Sequence, residues 1–547
     1  MHKMLSLKRS SLTVPPSQQS PWREPHLLAL ALIFMIKALF LAYFVIPPAD
    51  TPDESGHYAY VRDIANGNLF PLLSEAEIPN NLFLDVPFNP AQHRPNYIAQ
   101  HPPLYYFIAA LPLVIAEQFT ADRWYLVRAV RSVSGVATGL LFLALYCTLL
   151  AAGVRRSISL LVACSIMVIP MVGNLSAGIT NDVLLFLLCA LATLYLVRFC
   201  RHQSLKDAYW CALWLTLAGG TKMTAWPMIG LFIAILAFEL RGTWWHWLKH
   251  MAAVTAVSLL LPLWWMLRNL YHFGSMFKVN TSGLWEPKDP SYRFIQYITE
   301  QPFLDWMLVH FYGLFGFSGY CQSVDKIAQC RGVVSTRVAN EAFEFFVALL
   351  ILGCVVFFWH GFTTVRRQQS TPVQVASAAN PPQKILWQIM SWRWVTVPLF
   401  GLLMIISVAA VYLGLQILPR EPGWPAFFGM SAMLLLLPIA SLYLWLLPQE
   451  SRVDDRLIAY GVVTVFLFSL LFTAQAYKGY MITSELKGVQ GRYFYPFLPL
   501  LMVSLALALD RARIPIVLML WAVIGLAVGE FHSYVTQIIP FFERVRI

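Results

Sequence analysis

Charge is what this chain has least of. Only 12% of its 547 residues are Asp, Glu, Lys or Arg, against 58% hydrophobic, and the mean hydropathy is +0.61. That balance excludes a soluble globular domain and places the chain among polytopic membrane proteins. Glycine-rich phosphate loops are missing too: neither a Walker nor a Rossmann pattern occurs, which argues against nucleotide binding. No internal repeat of fixed period is visible, which counts against inverted-repeat transporter folds. The apolar segment 26–46 is too long for a signal-peptide core and lacks a small-residue cleavage site, so it is expected to stay as a first helix. Cysteine is sparse. Cys147, Cys164, Cys189, Cys200, Cys211 and Cys354 fall in or at the ends of apolar stretches, as packing residues do. Cys321 and Cys330 share one polar loop; placed outside the cytoplasm, the pair is expected to form a disulfide, the alternative being two free thiols.

What is present in quantity is apolar sequence, in stretches of about 17 to 25 residues that each suffice to cross a hydrocarbon core. Unbroken Leu, Ile, Val and Ala runs exclude the alternating pattern of a membrane barrel. The expectation is an all-α polytopic membrane protein with about 13 transmembrane helices. They are placed near 26–46, 132–153, 158–175, 181–199, 208–221, 224–240, 251–267, 341–359, 395–418, 425–447, 457–476, 493–509 and 514–532. Residues 208–240 carry Gly219-Gly220-Thr221-Lys222 at their middle and read as two short helices meeting at the outer surface. The segment 103–117 is apolar but short, as a re-entrant or interfacial helix is.

Basic residues orient this array. The net charge of +11 would point to nucleic acid in a soluble protein; here it marks cytoplasmic loops and anionic head groups, and no nucleic-acid partner is expected. The polar segment 1–25 reads as a disordered cytoplasmic tail. Residues 26–365 form a transmembrane module with long outer loops at 47–132 and 268–340. Residues 366–394 form a cytoplasmic linker, and 395–547 supply the C-terminal helices. Long outer loops rich in His, Asp, Arg and aromatic residues point to chemistry on the outer face.

The densest polar stretch is Asp50-Thr51-Pro52-Asp53-Glu54-Ser55-Gly56-His57. Thr51 and Glu54 have the spacing of a helix capping box, with Pro52 at the first helical position and a helix running to about Ala65. Capping does not explain Asp53, nor His57 one turn later on the same helix face. That spacing suits a metal pair, a base with its orienting partner, or solvated polar surface. Other candidates lie at boundaries: Gln100-His101-Pro102-Pro103-Leu104-Tyr105 at a helix start, Arg128 and Arg131, Asn181-Asp182 as a helix cap, Lys222, Arg268-Asn269, and Gly491-Arg492. Lys37, near the middle of the first apolar segment, either faces a cavity or snorkels. Acids beside isolated Lys and Arg at one bilayer surface suit a reaction on a phosphate-bearing lipid.

The order Pro-Asp53-Glu54-x-x-His57, His101-Pro102-Pro103-Leu104-Tyr105 and Arg131-x-x-Ser134-Gly135 resembles the first outer loop of GT-C membrane glycosyltransferases, in the protein O-mannosyltransferase and aminoarabinose-transferase branch. With Arg268-Asn269 and Gly488-x-x-Gly491-Arg492-Tyr493 added, the motifs are more closely similar to a bacterial family of multi-span membrane proteins of unassigned function. The resemblance implies a GT-C-like fold and an inverting transfer of a sugar from a polyprenyl-phosphate donor to a glycan, lipid or protein acceptor. The transfer would occur on the outer face of a bacterial inner membrane. It implies Asp53 as general base, with Glu54 and His57 beside it as catalytic residues. Arg131, Lys222, Arg268 and Arg492 are implied as donor-phosphate ligands, and His101 and Tyr105 as substrate-loop residues. A divalent ion is allowed by the resemblance, with Glu54, His57 and His101 as candidate ligands. The rival readings are a transporter or flippase of a polyprenyl-linked intermediate, and a non-catalytic subunit of envelope assembly.

Overall fold

The structure is a computed structural model that describes residues 24–79, 95–276, 291–301, 303–315, 333–334, 453–484, 486, 489–511 and 513–546. The expected spans at 341–359, 395–418 and 425–447, the linker 366–394, most of the N-terminal tail and the Cys321/Cys330 pair lie outside the described residues. Among the described residues, seven helices are long and apolar enough to cross a membrane, and an eighth if one bent pair is a single span. Regular structure among the described residues is helical except for a two-residue antiparallel pair, Leu314–Phe315 with Val333–Val334, and one isolated bridge.

Helix α1 (Pro25–Phe40) opens with proline at its first position and ends in a π turn, Leu41–Val45. Two helices of the first loop follow, α2 (Glu54–Ala65) and the short apolar α3 (Leu104–Glu117). The next span, α4 (Arg123–Ala151), begins nine residues before the expected 132 because Asp122 caps it, its carboxylate accepting from the Trp124 N–H at 2.8 Å. Arg131 does not end the span, since its charge is paired inside the protein. The span expected at 158–175 is broken: α5 (Arg156–Met167) and α6 (Pro170–Ser176) meet at 67°. Pro170 has no N–H to continue the ladder and starts the new helix instead.

Further on, α7 (Asp182–His202) is followed by α8 (Leu205–Gly219), a 3-10 turn (Met223–Ala225) and α9 (Trp226–Glu239). The interruption at 220–222 matches the expected meeting of two short helices, and its Gly220 carbonyl accepts from the Leu104 N–H at 3.1 Å, tying it to the start of α3. Then come α10 (Trp244–Phe273), α11 (Phe294–Glu300) and α12 (Phe303–Tyr312). The C-terminal part holds α13 (Val453–Thr483), a 3-10 turn (Gly491–Phe497), α14 (Leu498–Arg511), α15 (Ile516–Ser533), a second π turn (Tyr534–Ile538) and α16 (Ile539–Arg546). Helices α4 and α7 form the centre, flanked by α1 and α8, while α14 packs against α4, α5 and α7. The C-terminal helices are therefore built into the same packed body as the N-terminal ones.

Charges inside the helical body are paired. Lys37 neither snorkels nor faces open space: its ammonium donates to both Glu530 oxygens at 2.7 and 2.9 Å and to the Met167 carbonyl at 2.8 Å, joining α1, α5 and α15. Glu239, fully buried, accepts from Arg456 at 2.6 Å and from the Tyr460 hydroxyl at 2.6 Å, joining α9 to α13. At the other end of α7 from Asp182, Arg201 and Arg511 share Asp454, and Arg511 also meets Asp455. Burying an ion alone costs several kcal/mol, so removing one partner of such a pair is expensive. Lys37→Met is therefore expected to lower stability by about 3–5 kcal/mol, and Lys37→Met/Glu530→Leu to recover most of it. Thermal unfolding of the protein in lipid nanodiscs measures both; equal stability of the single variant and wild type would refute the buried pairing.

Candidate functional site

The chain leaves α1 through the π turn, in which the Ile46 N–H reaches back five residues to the Leu41 carbonyl at 2.8 Å. That geometry leaves carbonyls without helical partners, and Arg131 of α4 takes them. Its guanidinium donates to the Ala42, Ile46 and Pro47 carbonyls at 2.7–2.8 Å and to both Glu54 oxygens at 2.7 Å. All five donors are thereby used. Glu54 in turn also accepts from the Ala49 N–H at 2.9 Å and the Ile179 N–H at 3.0 Å. This pair is sealed: the two side chains are 1% and 0% exposed. Neither the phosphate-binding role expected of Arg131 nor the catalytic or metal role expected of Glu54 has a donor or lone pair left to serve it.

With Glu54 committed to Arg131, the capping box does not form. Helix α2 starts at Glu54, and Asp53 occupies the cap position in the left-handed region, φ 63°, without a side-chain capping bond. A non-glycine residue held there is strained and persists only where its surroundings fix it. Its carbonyl accepts from the His57 N–H at 3.1 Å. Its side chain points away from the helix. Oδ1 accepts from the Tyr97 hydroxyl at 2.7 Å and Oδ2 from Arg492 at 3.0 Å.

Arg492 enters from the 3-10 turn that opens the Gly491–Arg511 span. The turn lies so close to α12 that a Cβ on Gly491 would fall 2.1 Å from the Met307 carbonyl oxygen; only glycine fits. The Arg492 Nε lies 3.6 Å from Asp182, which receives Lys222 at 2.5 Å. The result is an alternating row, Asp53–Arg492–Asp182–Lys222, drawn from the starts of α2 and α7 and from two interrupted segments. The Tyr493 ring lies beside both cations, 5.5 Å from Lys222 and 5.9 Å from Arg492. Asp53, with its side chain 21% exposed, is the open member; Arg492 is 3% exposed.

His57 and His101 flank this row. The His57 Nδ1 is 2.8 Å from the Tyr106 hydroxyl, which also accepts from the Asn181 amide at 3.2 Å. Burial, with the Lys222 charge second, pulls the His57 imidazole down to about 3. Burial and then Lys222 likewise hold His101 well below its usual range. Burial thus favours the neutral form of both rings. Tyr105 is buried, in edge contact with His57 and Tyr106. Arg268 stacks on Trp265, 4.4 Å from its ring, and donates to the Phe70 and Pro71 carbonyls at 2.9 and 3.1 Å; it lines a separate cleft with Asn68, Glu75 and His272. No group of three or more His, Cys, Asp or Glu is arranged to hold a metal among the described residues. Glu54, His57 and His101 do not assemble as ligands, because Glu54 is saturated and His57 Nδ1 is turned to Tyr106.

Sequence reasoning named Asn181-Asp182 among the boundary candidates but gave Asp182 no site role, since an Asp after Asn at the head of an apolar helix is also an ordinary cap. The available signal was an acid and a lysine, Asp182 and Lys222, each alone beside long apolar stretches. Tyr97 gave no signal: it belongs to no motif and is placed only by the fold.

Comparison with known proteins bears on this chain in part. Residues 100–266 match the family described as dolichyl-phosphate-mannose-protein mannosyltransferase. A search of curated proteins finds no match. Among solved structures, ArnT from Cupriavidus metallidurans in the apo state aligns at 13% identity over 89% of this chain and 76% of that one, with a TM-score of 0.33. The same protein bound to undecaprenyl phosphate aligns at 14% identity over 90% and 78%, with a TM-score of 0.32.

The neutral histidine carries a consequence for acid stability. Unfolded, His57 takes up a proton near 6.5; folded, it does so only near 3. Acid therefore favours the unfolded chain, and stability is expected to fall as pH drops below 6.5 toward 3. Melting temperatures from about pH 7.5 to about pH 5 should decline more steeply for wild type than for His57→Gln; parallel curves would contradict a buried neutral ring. Over residues 100–266, through α3, α4, α7 and Lys222, the chain is similar to the GT-C mannosyltransferase family.

Proposed function

We propose that this protein is a glycosyltransferase of the inner bacterial membrane that moves a sugar from a polyprenyl-phosphate donor to an acceptor hydroxyl on the outer face, with inversion. The observation that carries the reading is the row Asp53–Arg492–Asp182–Lys222 at the head of two membrane spans, with Asp53 as its open end. The family match over residues 100–266 supports the same class of reaction. Asp53 accepts the acceptor's hydroxyl proton as the oxygen bonds to the anomeric carbon. The bond from that carbon to the phosphate oxygen breaks, and its electron pair leaves with the polyprenyl phosphate. Such a base contributes about 10²–10⁴-fold. Lys222 and Arg492 meet the growing phosphate charge with charge-assisted hydrogen bonds, exchanging part of their hold on Asp182 for the phosphate. Asp182 keeps the two cations in place and deprived of mutual repulsion until the donor arrives.

Donor chemistry follows from location. No pool of nucleotide-activated sugars is expected outside the cytoplasm, so an outward-facing transferase needs a sugar delivered on lipid. The N-terminus then lies in the cytoplasm, consistent with the basic residues between the spans. A cysteine introduced at the exposed Asn66 should react with a membrane-impermeant maleimide in intact spheroplasts; protection there, with labelling after lysis, would reverse the orientation.

The central test is Asp53→Asn, which preserves size and the hydrogen bonds of one oxygen while removing the base. Transfer from an undecaprenyl-phosphate-linked sugar by the reconstituted variant is expected to fall about 10²–10⁴-fold, with expression and melting temperature near wild type. Undiminished transfer would remove Asp53 from the reaction.

A further inference from the structure

Both oxygens of Asp53 are occupied, and the two partners differ in kind. Arg492 is buried, locked by the contact of Gly491 with α12, and shared with Asp182. Tyr97 is 36% exposed and presents a neutral hydroxyl to Oδ1 at 2.7 Å. That is the bond an acceptor alcohol must make before it gives up its proton. We propose that the Tyr97 hydroxyl stands in the place of the acceptor hydroxyl on Asp53, shields the base from water, and is displaced when an alcohol-bearing acceptor binds. The inference rests on the reading of Asp53 as the general base.

The fold sets Tyr97 there deliberately in space, through the 3-10 turn Tyr97–Gln100. Asn96, fully buried, accepts from the Ile98 N–H at 3.1 Å and donates to the Gly56 carbonyl at 3.0 Å. At Gly56 a Cβ would come within 2.6 Å of the Ile98 side chain and 2.9 Å of the Asn96 oxygen, so the turn lies directly on the first turn of α2. Its far end is held by the Trp265 indole, which donates to the Gln100 carbonyl at 3.2 Å, and by the Tyr60 hydroxyl on the His101 carbonyl at 3.4 Å. The backbone is fixed at both ends while the phenol stays accessible. A side-chain rotation about Tyr97 suffices to open Oδ1. Partial burial, and then the Asp53 charge, push the Tyr97 phenol up, so it remains a donor and cannot compete as a base.

The function of such a plug follows from the chemistry. A polyprenyl-phosphate sugar is an activated donor, and an uncovered carboxylate beside it would take a proton from water as readily as from an alcohol. The water oxygen would bond to the anomeric carbon, the phosphate would leave, and free sugar would be lost. An acceptor that reaches Asp53 must first displace the phenol, and an alcohol held by its own binding contacts does so more readily than bulk water. Tyr97 is thus a positioning residue: it selects for a bound hydroxyl.

The test uses the full-length protein in nanodiscs, with a water-soluble carbodiimide and an amine as the probe of Asp53, read by peptide mass spectrometry against Asp63 on the same helix. Tyr97→Phe keeps the ring and removes only the donor. Asp53 is expected to label about 2- to 10-fold faster, the weight of one hydrogen bond, with Asp63 unchanged. Tyr97→Leu serves as a second variant that removes the ring as well and should give at least the same rise. With undecaprenyl-phosphate-linked hexose and no acceptor, Tyr97→Phe should release free sugar faster than wild type, and Tyr97→Phe/Asp53→Asn should not. Unchanged Asp53 labelling in both variants, with melting temperatures held, overturns the proposal, as does a rise shared equally by Asp63. If labelling rises while Asp53→Asn alone leaves transfer intact, the base reading fails and the placement of Tyr97 stands.

Discussion

A guanidinium and a carboxylate sealed from the surface hold this structure's first loop to its helices. Arg131 and Glu54 satisfy each other, three carbonyls at the end of α1, and two backbone N–H groups from residues 49 and 179. Five segments therefore converge on one buried pair: the π turn, the 46–49 loop, α2, α4 and the approach to α7. In a low-dielectric interior neither ion tolerates a missing partner, so each contact enforces the others. The position of Asp53, one residue before Glu54, is inherited from that network. Its left-handed backbone is the local strain that the network supports.

The same physics separates residues that look alike in a motif. Asp53 and Glu54 are adjacent acids, yet Glu54 is saturated by two Arg131 donors and two backbone amides, while Asp53 is partly exposed, with the Tyr97 hydroxyl on one oxygen and Arg492 on the other. Arg131 and Arg492 are both buried arginines beside acids. Arg131 spends every donor on structure, while Arg492 links two carboxylates in a row that ends at an accessible one.

Elsewhere the ion pairs act as cross-links. Lys37 with Glu530, and Arg456 with Glu239, bring N-terminal helices to C-terminal ones across the apolar body. Each is closed by further hydrogen bonds, to Met167 and to Tyr460 respectively. A transport pathway would need ionisable groups lining water; these are packed between helices, and they join parts of the chain that hydropathy alone leaves unconnected.

Sequence determined the helical membrane class, because hydrophobicity over a span-length window is a local property that the bilayer reads directly. It also determined that 104–117 would be a short apolar helix and that the chain would be interrupted at Lys222, where length and glycine suffice. It singled out Asp53 as the acid that capping could not explain, though the capping box itself never forms. Only the tertiary structure decided which charges meet. Asp53 and Arg492 are 439 residues apart, Lys37 and Glu530 493 apart, and no local pattern encodes such a pairing. It likewise filled every hydrogen-bonding position of Glu54 and Arg131, joined Asp182 to Lys222 and Arg492, and placed the Tyr97 hydroxyl on Asp53. The physical reason is common to all four: an ionisable group's role is set by how many of its hydrogen-bonding positions the folded protein has already filled, and that number exists only in three dimensions.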